Sequence, residues 1–250
     1  MRIFYSLIVF IFGLAIGSFL NVCIYRIPRK ESIISPGSHC PHCRHPLGLW
    51  DLIPLISIII LRGKCRYCGK EISPRYFFVE LTTAVLFLAL YVRFMVYERS
   101  PVLFFSYLLL SSALIAITFI DLEHKIIPDR ITYPGIAAGL LFSIFIGNFW
   151  VSLLGLFIGA GVLYFIIIVS HGGMGGGDVK LAGMLGSFLG CRLLLLTLFL
   201  SFLSGGIVAI ILLLLKLKGR KDYIPFGPYL AIAGIVAIFW GQQILSWYGF

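Results

Sequence analysis

Charged residues are scarce in this sequence, and acidic ones are the scarcest. Only 12% of the 250 residues are charged, and Asp and Glu together number 10. The chain is also 60% hydrophobic. One soluble core could not bury that much apolar surface, so the composition excludes an ordinary soluble globular protein and predicts a membrane protein.

Five runs without a charged residue are long enough to cross a bilayer. Backbone groups in hydrocarbon need partners within the chain, so we predict helices. The longest run breaks near Gly147-Asn148 into two helices, and 77–92 and 178–190 add two more. The predicted architecture is therefore all-α and polytopic, with about eight transmembrane helices. The five runs are 3–25, 102–120, 131–170, 193–215 and 223–250.

The first run lacks the small-residue cleavage site of a secretory signal and leads directly into polar residues. We interpret it as a retained span. Sixteen of the 20 Lys and Arg residues fall on one side when the spans are numbered from the N-terminus, including four in 216–221. The positive-inside rule then places the 28–75 loop in the cytoplasm and both termini outside. This basic face would attract anionic lipid, and we expect no nucleic-acid partner.

Cysteines are few, but four of the six form two CxxC pairs separated by 21 residues. This spacing is typical of a structural zinc site, which would fold a loop too small to have a core. A redox dithiol and other ligation are weaker alternatives, because cytoplasmic thiols stay reduced. Cys23 and Cys191 are interpreted as packing residues. The apolar stretch 52–61 is too short to cross, so it packs on the loop or lies at the interface. The predicted ligands are Cys40, Cys43, Cys65 and Cys68.

Three acidic residues lie within or against the predicted spans: Glu80, Asp121 and Asp178. Charge at membrane depth is costly, so each is a candidate functional residue. Asp121 closes the third helix and Asp178 opens the sixth, both on the cytoplasmic side. If those helices are neighbours, the two carboxylates can form an aspartyl dyad.

Two adjacent carboxyls share one proton, so an acid and a base coexist at neutral pH. The ionised partner can take a proton from water while the protonated one polarises a carbonyl, which is peptide hydrolysis without a metal. The glycines before Asp178, Gly175 and Gly177 among them, would let a substrate backbone approach closely and would permit unusual φ values.

Helix capping is the alternative for both acids. It suits Asp178, which lies in a first turn, but a helix C-terminus disfavours the charge of Asp121. For Asp129, which follows Pro128, capping is the better interpretation. Glu80 could either pair with a basic residue or support the site.

Several motifs, taken together, resemble the type IV prepilin peptidases. The resemblance runs from about residue 13 to residue 230 in the family's order. The motifs are Gly17-Ser-Phe-Leu-Asn-Val22 with Tyr25-Arg-Ile-Pro28, the two CxxC pairs, Ser73-Pro-Arg-Tyr-Phe-Phe-Val-Glu80, Asp121 with Pro128-Asp129, Gly175-Gly-Gly-Asp-Val-Lys180, and Pro225-Phe-Gly-Pro228.

The resemblance implies a GxGD-type aspartic protease with Asp121 and Asp178 as its acids. Such enzymes cut prepilins and pseudopilins of type IV pili and type II secretion after a basic leader, at the inner membrane. Many also N-methylate the new terminus with S-adenosylmethionine, for which Gly63 and Lys64 are the candidate residues. The motif residues Asn21, Glu80, Gly175, Gly177 and Lys180 would have supporting roles.

The predicted division is a first transmembrane helix (1–27), a zinc-binding loop domain (28–75) and a transmembrane protease core (76–250). An ion- or proton-coupled transporter is the leading rival, because intramembrane carboxylates and glycine-broken helices also mark ion paths. A membrane thiol oxidoreductase is the third hypothesis, although its cysteines should face the oxidising side.

Overall fold

The computed structural model describes residues 2–170, 174–217, 219 and 224–249. Within these ranges the regular structure is helical, and the only β-pairing consists of two isolated bridges in the cysteine loop. Gly172 and Gly173, which belong to the glycine-rich stretch before Asp178, lie outside the described residues, as do the basic residues 218, 220 and 221.

Eight α-helices follow one another along the described chain. A 3-10 turn (Leu49–Leu52) precedes α2, and a π-helical stretch (Tyr91–Tyr97) continues α3. The helices are α1 (Arg2–Arg26), α2 (Ile56–Ile60), α3 (Arg75–Leu90), α4 (Pro101–His124), α5 (Asp129–Ile146), α6 (Phe149–Val169), α7 (Gly176–Leu214) and α8 (Gly227–Trp247).

Seven of these helices are long and apolar enough to cross a membrane: α1, α3 with its π-helical extension, and α4 to α8. The chain is therefore a multi-pass helical membrane protein, as the hydrophobic runs predicted. α5 ends at Gly147, whose φ of 81° is left-handed, so the 40-residue run breaks at the expected place.

The eighth predicted span, 178–190, lies inside α7, which is one of the seven candidate spans. Gly190 has φ 70° and ψ 177°, so the helix is interrupted there. Ala182 precedes this break and Leu194 follows it, yet both lie against Gly159 of α6. The chain must therefore reverse at Gly190, and α7 consists of two antiparallel helical segments.

The chain divides into two compact units, Met1–Phe104 and Phe105–Phe250. In the first, α1 and α3 pack closely because Gly13 and Gly17 lie directly against the backbone of Ala84 and Glu80. A Cβ at either glycine would be 2.6 Å from the facing Cα. Since residue numbers rise along one helix as they fall along the other, the pair is antiparallel.

In the second unit, α6 packs against α7 through facing glycines, and α8 packs against α7. Gly155 and Gly186 approach backbone to backbone, where a Cβ on either would overlap the other helix. This packing fixes the level at which the N-terminus of α7 lies. That N-terminus carries Asp178.

Candidate active site and metal centre

Asp121 lies near the end of α4, and its side chain is buried with 1% exposure. Its Oδ2 accepts a hydrogen bond of 3.0 Å from the backbone N–H of Gly227. Gly227 is the first residue of α8, so the carboxylate caps the positive end of a second helix. This contact stabilises a carboxylate at the C-terminal end of α4, where the dipole of α4 alone would disfavour it.

Asp178 is the third residue of α7 and is 2% exposed. Its Oδ2 accepts a 3.2 Å hydrogen bond from the N–H of Gly175, so the carboxylate does cap its own helix. The second oxygen, Oδ1, is buried and has no hydrogen-bond partner in the described residues. Capping therefore occupies half of this carboxylate and leaves an acceptor free.

The carboxylates of Asp121 and Asp178 lie within electrostatic reach of each other. They come from helices that begin 75 residues apart in sequence, Pro101 and Gly176. Two buried carboxyls within electrostatic reach do not both ionise readily. The arrangement can therefore hold a proton between an acid and a base, which is the requirement for general acid–base chemistry.

The glycines beside Asp178 act differently from the expectation. None of Gly175, Gly176 and Gly177 has a positive φ, so the predicted need for unusual backbone angles is wrong for these three. Gly175 supplies an N–H to Asp178. Gly177 lies against Ile127, whose Cβ would be 2.9 Å from a Cβ at position 177. Close packing is thus the reason for that glycine.

Lys180 is directed at Asp129. Its Nζ lies 2.6 Å from Asp129 Oδ1 and 5.2 Å from the ring centroid of Tyr133. The capping interpretation of Asp129 is wrong: α5 begins at Asp129 itself, after an N-cap Pro128 that makes no side-chain cap bond. Lys180 and Asp129 instead join the N-termini of α7 and α5.

Asn21 and Glu80, in the first unit, connect three segments of it. Asn21 Nδ2 donates to the carbonyl of Tyr76 at 3.1 Å, and its Oδ1 is buried without a described partner. Glu80 Oε2 accepts a 2.8 Å hydrogen bond from the backbone N–H of Leu55, and the Ser18 hydroxyl also binds Glu80. Glu80 therefore ties the cysteine loop to α1 and α3, without a basic partner in the described chain.

The four predicted cysteines form one cluster. Their sulfur atoms all lie within 4.8 Å of one another, and Cys40 and Cys68 are 3.9 Å apart. Tetrahedral zinc with Zn–S bonds of about 2.3 Å separates its sulfurs by about 3.8 Å. The cluster is therefore of the right size and composition for a metal ion.

The protonation of the cluster also favours a cation. Although burial opposes ionisation, N–H groups of Cys43 and His42 and neighbouring thiols lower the pKa of Cys40 to about 7. The Lys70 N–H favours the Cys68 thiolate, but burial and the neighbouring thiols raise the pKa of Cys68 to about 11. Four crowded sulfurs thus resist joint ionisation until a metal neutralises them.

The two cysteine pairs have the same local fold. Cys40 N–H binds the carbonyl of His45, and Cys65 N–H binds the carbonyl of Lys70. Each pair is closed by an isolated bridge, His39 to Pro46 and Lys64 to Glu71. The sequence spacing predicted the pairs but not this repeated turn.

A polar cluster that the sequence analysis missed connects the pairs. Asp51 accepts hydrogen bonds from Arg66 at 2.7 Å and from Tyr67 at 3.1 Å. Although burial raises it, the bonds from Arg66, the Gly48 N–H and Tyr67 leave the pKa of Asp51 below its ordinary value. Tyr67 also stacks on the ring of His45 with centroids 3.7 Å apart.

Gly63 and Lys64 lie at the base of the second pair. Gly63 has φ 69°, donates to the carbonyl of Ile58 and accepts from the N–H of Ile72. Lys64 forms the bridge to Glu71 and has an exposed side chain. Gly63 therefore has a turn-forming role that explains a glycine at this position.

Two family models match the chain. "Bacterial Peptidase A24 N-terminal domain" matches residues 11–94, and "Type IV leader peptidase family" matches residues 108–210. The second match includes both Asp121 and Asp178. No solved structure matches the chain.

Curated proteins named "Prepilin leader peptidase/N-methyltransferase" match almost the whole chain. The one from Aeromonas hydrophila is 40% identical over 98% of this chain and 93% of its own length. The one from Bacillus subtilis (strain 168) is 38% identical over 96% of each chain. The one from Legionella pneumophila is 37% identical over 98% of this chain and 94% of its own.

Proposed function

Because the chain belongs to the type IV leader peptidase family, we propose that it is a membrane aspartic endopeptidase that removes the leaders of type IV prepilins and pseudopilins. Asp121 and Asp178 are its proposed catalytic pair. The observation that carries this proposal is the burial of two interacting carboxylates, 1% and 2% exposed, in a chain with very few acids. A transporter has no comparable support among the relatives.

The mechanism uses one proton shared by the pair. The ionised carboxylate takes a proton from a water molecule as the water attacks the scissile carbonyl, and the protonated carboxyl polarises that carbonyl and then protonates the leaving amine. Asp121 already accepts the Gly227 N–H, which fixes its orientation. Asp178 Oδ1 has no described partner and is the oxygen available to water or substrate.

The proposed location is the bacterial inner membrane, with the 28–75 loop in the cytoplasm and both termini outside. The distribution of basic residues supports this orientation. Asp121 and Asp178 then lie at the cytoplasmic edge, where a basic leader can stay in water while the apolar pilin helix remains in lipid.

Zinc is the proposed occupant of the cysteine cluster, with a structural role. Four thiolates from two turns complete a tetrahedral set, so no ligand position is left for catalysis. The metal would hold together a loop in which Cys40 and Cys65 are the only buried cysteines of the four.

Methyl transfer from S-adenosylmethionine is a second proposed activity, supported by the names of the relatives. S-adenosylmethionine supplies the methyl group, and the cut substrate's new N-terminal amine receives it. Gly63 and Lys64 remain the candidate residues, Gly63 through its turn and Lys64 through its exposed ammonium group.

The decisive experiment uses the purified full-length protein in lipid nanodiscs with a synthetic prepilin segment. Asp121→Asn and Asp178→Asn should each lower the cleavage rate by a factor of roughly 10² to 10⁴ or more, because general acid–base catalysis by one group is lost. Product is measured by mass spectrometry. Asp129→Asn, which removes a carboxylate that pairs with Lys180, is the matched control.

Retained cleavage in either variant, with folding and insertion intact, would reject the proposed pair. If Asp129→Asn lowers the cleavage rate as much as Asp121→Asn and Asp178→Asn do, the loss is a general effect of removing an acid at the cytoplasmic edge. It would then not identify Asp121 and Asp178 as catalytic.

A further inference from the structure

We propose that residues 49–61 of the cysteine loop form a membrane foot that lies in the headgroup region of an anionic leaflet. The membrane foot contains the 3-10 turn Leu49–Leu52 and helix α2. This inference concerns lipid binding and does not depend on the proteolytic function.

The membrane foot is tied to a membrane-spanning helix at a defined depth. The N–H of Leu55 donates to Glu80 Oε2 at 2.8 Å. Glu80 follows the start of α3 at Arg75 by five residues, which is about 7.5 Å along the helix axis. Its backbone also faces Gly17, inside α1. This hydrogen bond between Leu55 and Glu80 is the tether of the membrane foot. It holds α2 beside the first turns of α3 and not beyond the end of that helix.

The outward face of α2 is apolar. Ile56, Ile59 and Ile60 have exposures of 52%, 64% and 69%, and their spacing places them on one face of the helix. In the preceding 3-10 turn, Leu49 and Trp50 are also exposed, by 85% and 77%. An apolar face of this kind at the level of the headgroups is typical of interfacial helices, and Trp is enriched there.

The charges around the membrane foot favour an anionic lipid surface. Arg62 lies two residues after the end of α2 and is exposed. Asp51 is the one acidic residue between positions 49 and 70, and Arg66 neutralises it at 2.7 Å. Residues 49–70 thus carry a net positive charge, which suits anionic lipid.

Lipid binding by the membrane foot would set the height of the cysteine cluster. Gly63 N–H binds the carbonyl of Ile58 at 2.8 Å, and Ile72 N–H binds the carbonyl of Gly63 at 2.7 Å. These bonds join α2 to the turn that carries Cys65. The cluster is thereby held at the membrane surface.

The test places a single tryptophan on the membrane foot of the full-length protein in nanodiscs that contain phosphatidylglycerol and phosphatidylcholine. The four native tryptophans are changed to Phe, and Ile59→Trp is the reporter. We expect quenching by lipids brominated in the upper acyl chain and several-fold weaker quenching by aqueous iodide than for free N-acetyltryptophanamide. Ile34→Trp, at a loop isoleucine that is 87% exposed, is the matched control, with strong iodide quenching.

Iodide quenching of Ile59→Trp equal to the free compound, without a bromolipid effect, would overturn the proposal. Protection from both quenchers would also overturn it, because another protein surface would then cover the face.

Two further variants of the reporter protein test the tether and the charge. Glu80→Ala should raise iodide quenching of the reporter, whereas Glu80→Gln keeps an accepting oxygen and should raise it less. Arg62→Gln should reduce the dependence of bromolipid quenching on phosphatidylglycerol content. If Glu80→Ala and Arg62→Gln both leave the quenching unchanged while circular dichroism is native, the proposed seating of the membrane foot is wrong.

Discussion

Asp121 shows how one backbone group can make an unfavourable charge tolerable. The dipole of α4 disfavours a carboxylate at its C-terminus, but the N-terminus of α8 offers a partial positive charge and a free N–H. Gly227 presents that N–H at 3.0 Å. Pro228 follows at the next position, where its missing donor costs nothing. The sequence Phe226-Gly-Pro228 therefore builds an anion site for an acid 106 residues away.

Gly227→Ala should damage this site. A Cβ at position 227 would lie 2.7 Å from Asp121 Oδ2, so the carboxylate must move. Overpacking of this kind costs about 1–3 kcal/mol, and the displaced charged hydrogen bond a similar amount. If Asp121 is catalytic, we expect kcat for prepilin cleavage to fall roughly 10-fold to 100-fold, since 1.4 kcal/mol is a factor of ten.

The matched control for this prediction is Gly161→Ala, because a Cβ there meets nothing within 4 Å. It should cleave at the normal rate. A normal kcat in Gly227→Ala would show that catalysis does not need the hydrogen bond from Gly227 to Asp121.

At the scale of elements, the cysteine loop consists of two copies of one turn. The position four residues after the first cysteine of each pair has a left-handed backbone, with φ 57° at Arg44 and 70° at Gly69. Each turn directs two sulfurs to the same point, and Asp51 connects the second turn to the 3-10 helix. Because such a loop has little apolar burial of its own, we expect a bound metal to supply much of its folding energy.

Cys65→Ser should therefore abolish the metal site. We expect zinc, measured by elemental analysis of the purified protein, to fall from about one ion per chain to near zero. Protease susceptibility of the 28–75 loop should rise in parallel, and a strong chelator should reproduce both effects in the unaltered protein.

Cys191→Ser is the control, because Cys191 lies outside the four-cysteine cluster. Undiminished zinc in Cys65→Ser would refute the assignment of this ligand.

At the scale of the whole molecule, the expected membrane topology depends on the reversal at Gly190. If α7 were one continuous span, seven crossings would put the termini on opposite sides of the membrane. If each of the two antiparallel segments of α7 crosses the membrane, the crossings number eight, and we then expect both termini on the same side. The basic residues then support a cytoplasmic 28–75 loop.

Reporter fusions check this topology. Alkaline phosphatase fused after residue 250 should be active and green fluorescent protein at the same point dark, because we expect that end outside. The same pair inserted in the 28–75 loop should give the reverse result. A fluorescent C-terminal fusion would contradict eight crossings.

The spans and the two candidate acids were readable from the sequence because lipid penalises charge and unpaired backbone at every position, independently of the fold. The four clustered cysteines were readable from their CxxC spacing. In a chain with 10 acidic residues, Asp121 and Asp178 stand out by position alone. The break near Gly147 and the short segment before Gly190 were equally local signals.

Only the tertiary structure decided what surrounds those residues. The Gly227 N–H at Asp121, the Leu55 N–H at Glu80 and the Lys180 pair with Asp129 are made by groups far apart in sequence. Two of these three donors are backbone N–H groups, which every residue except proline carries. The residue type therefore does not predict which backbone N–H will act as such a donor. Its role is set only when packing brings the helices together.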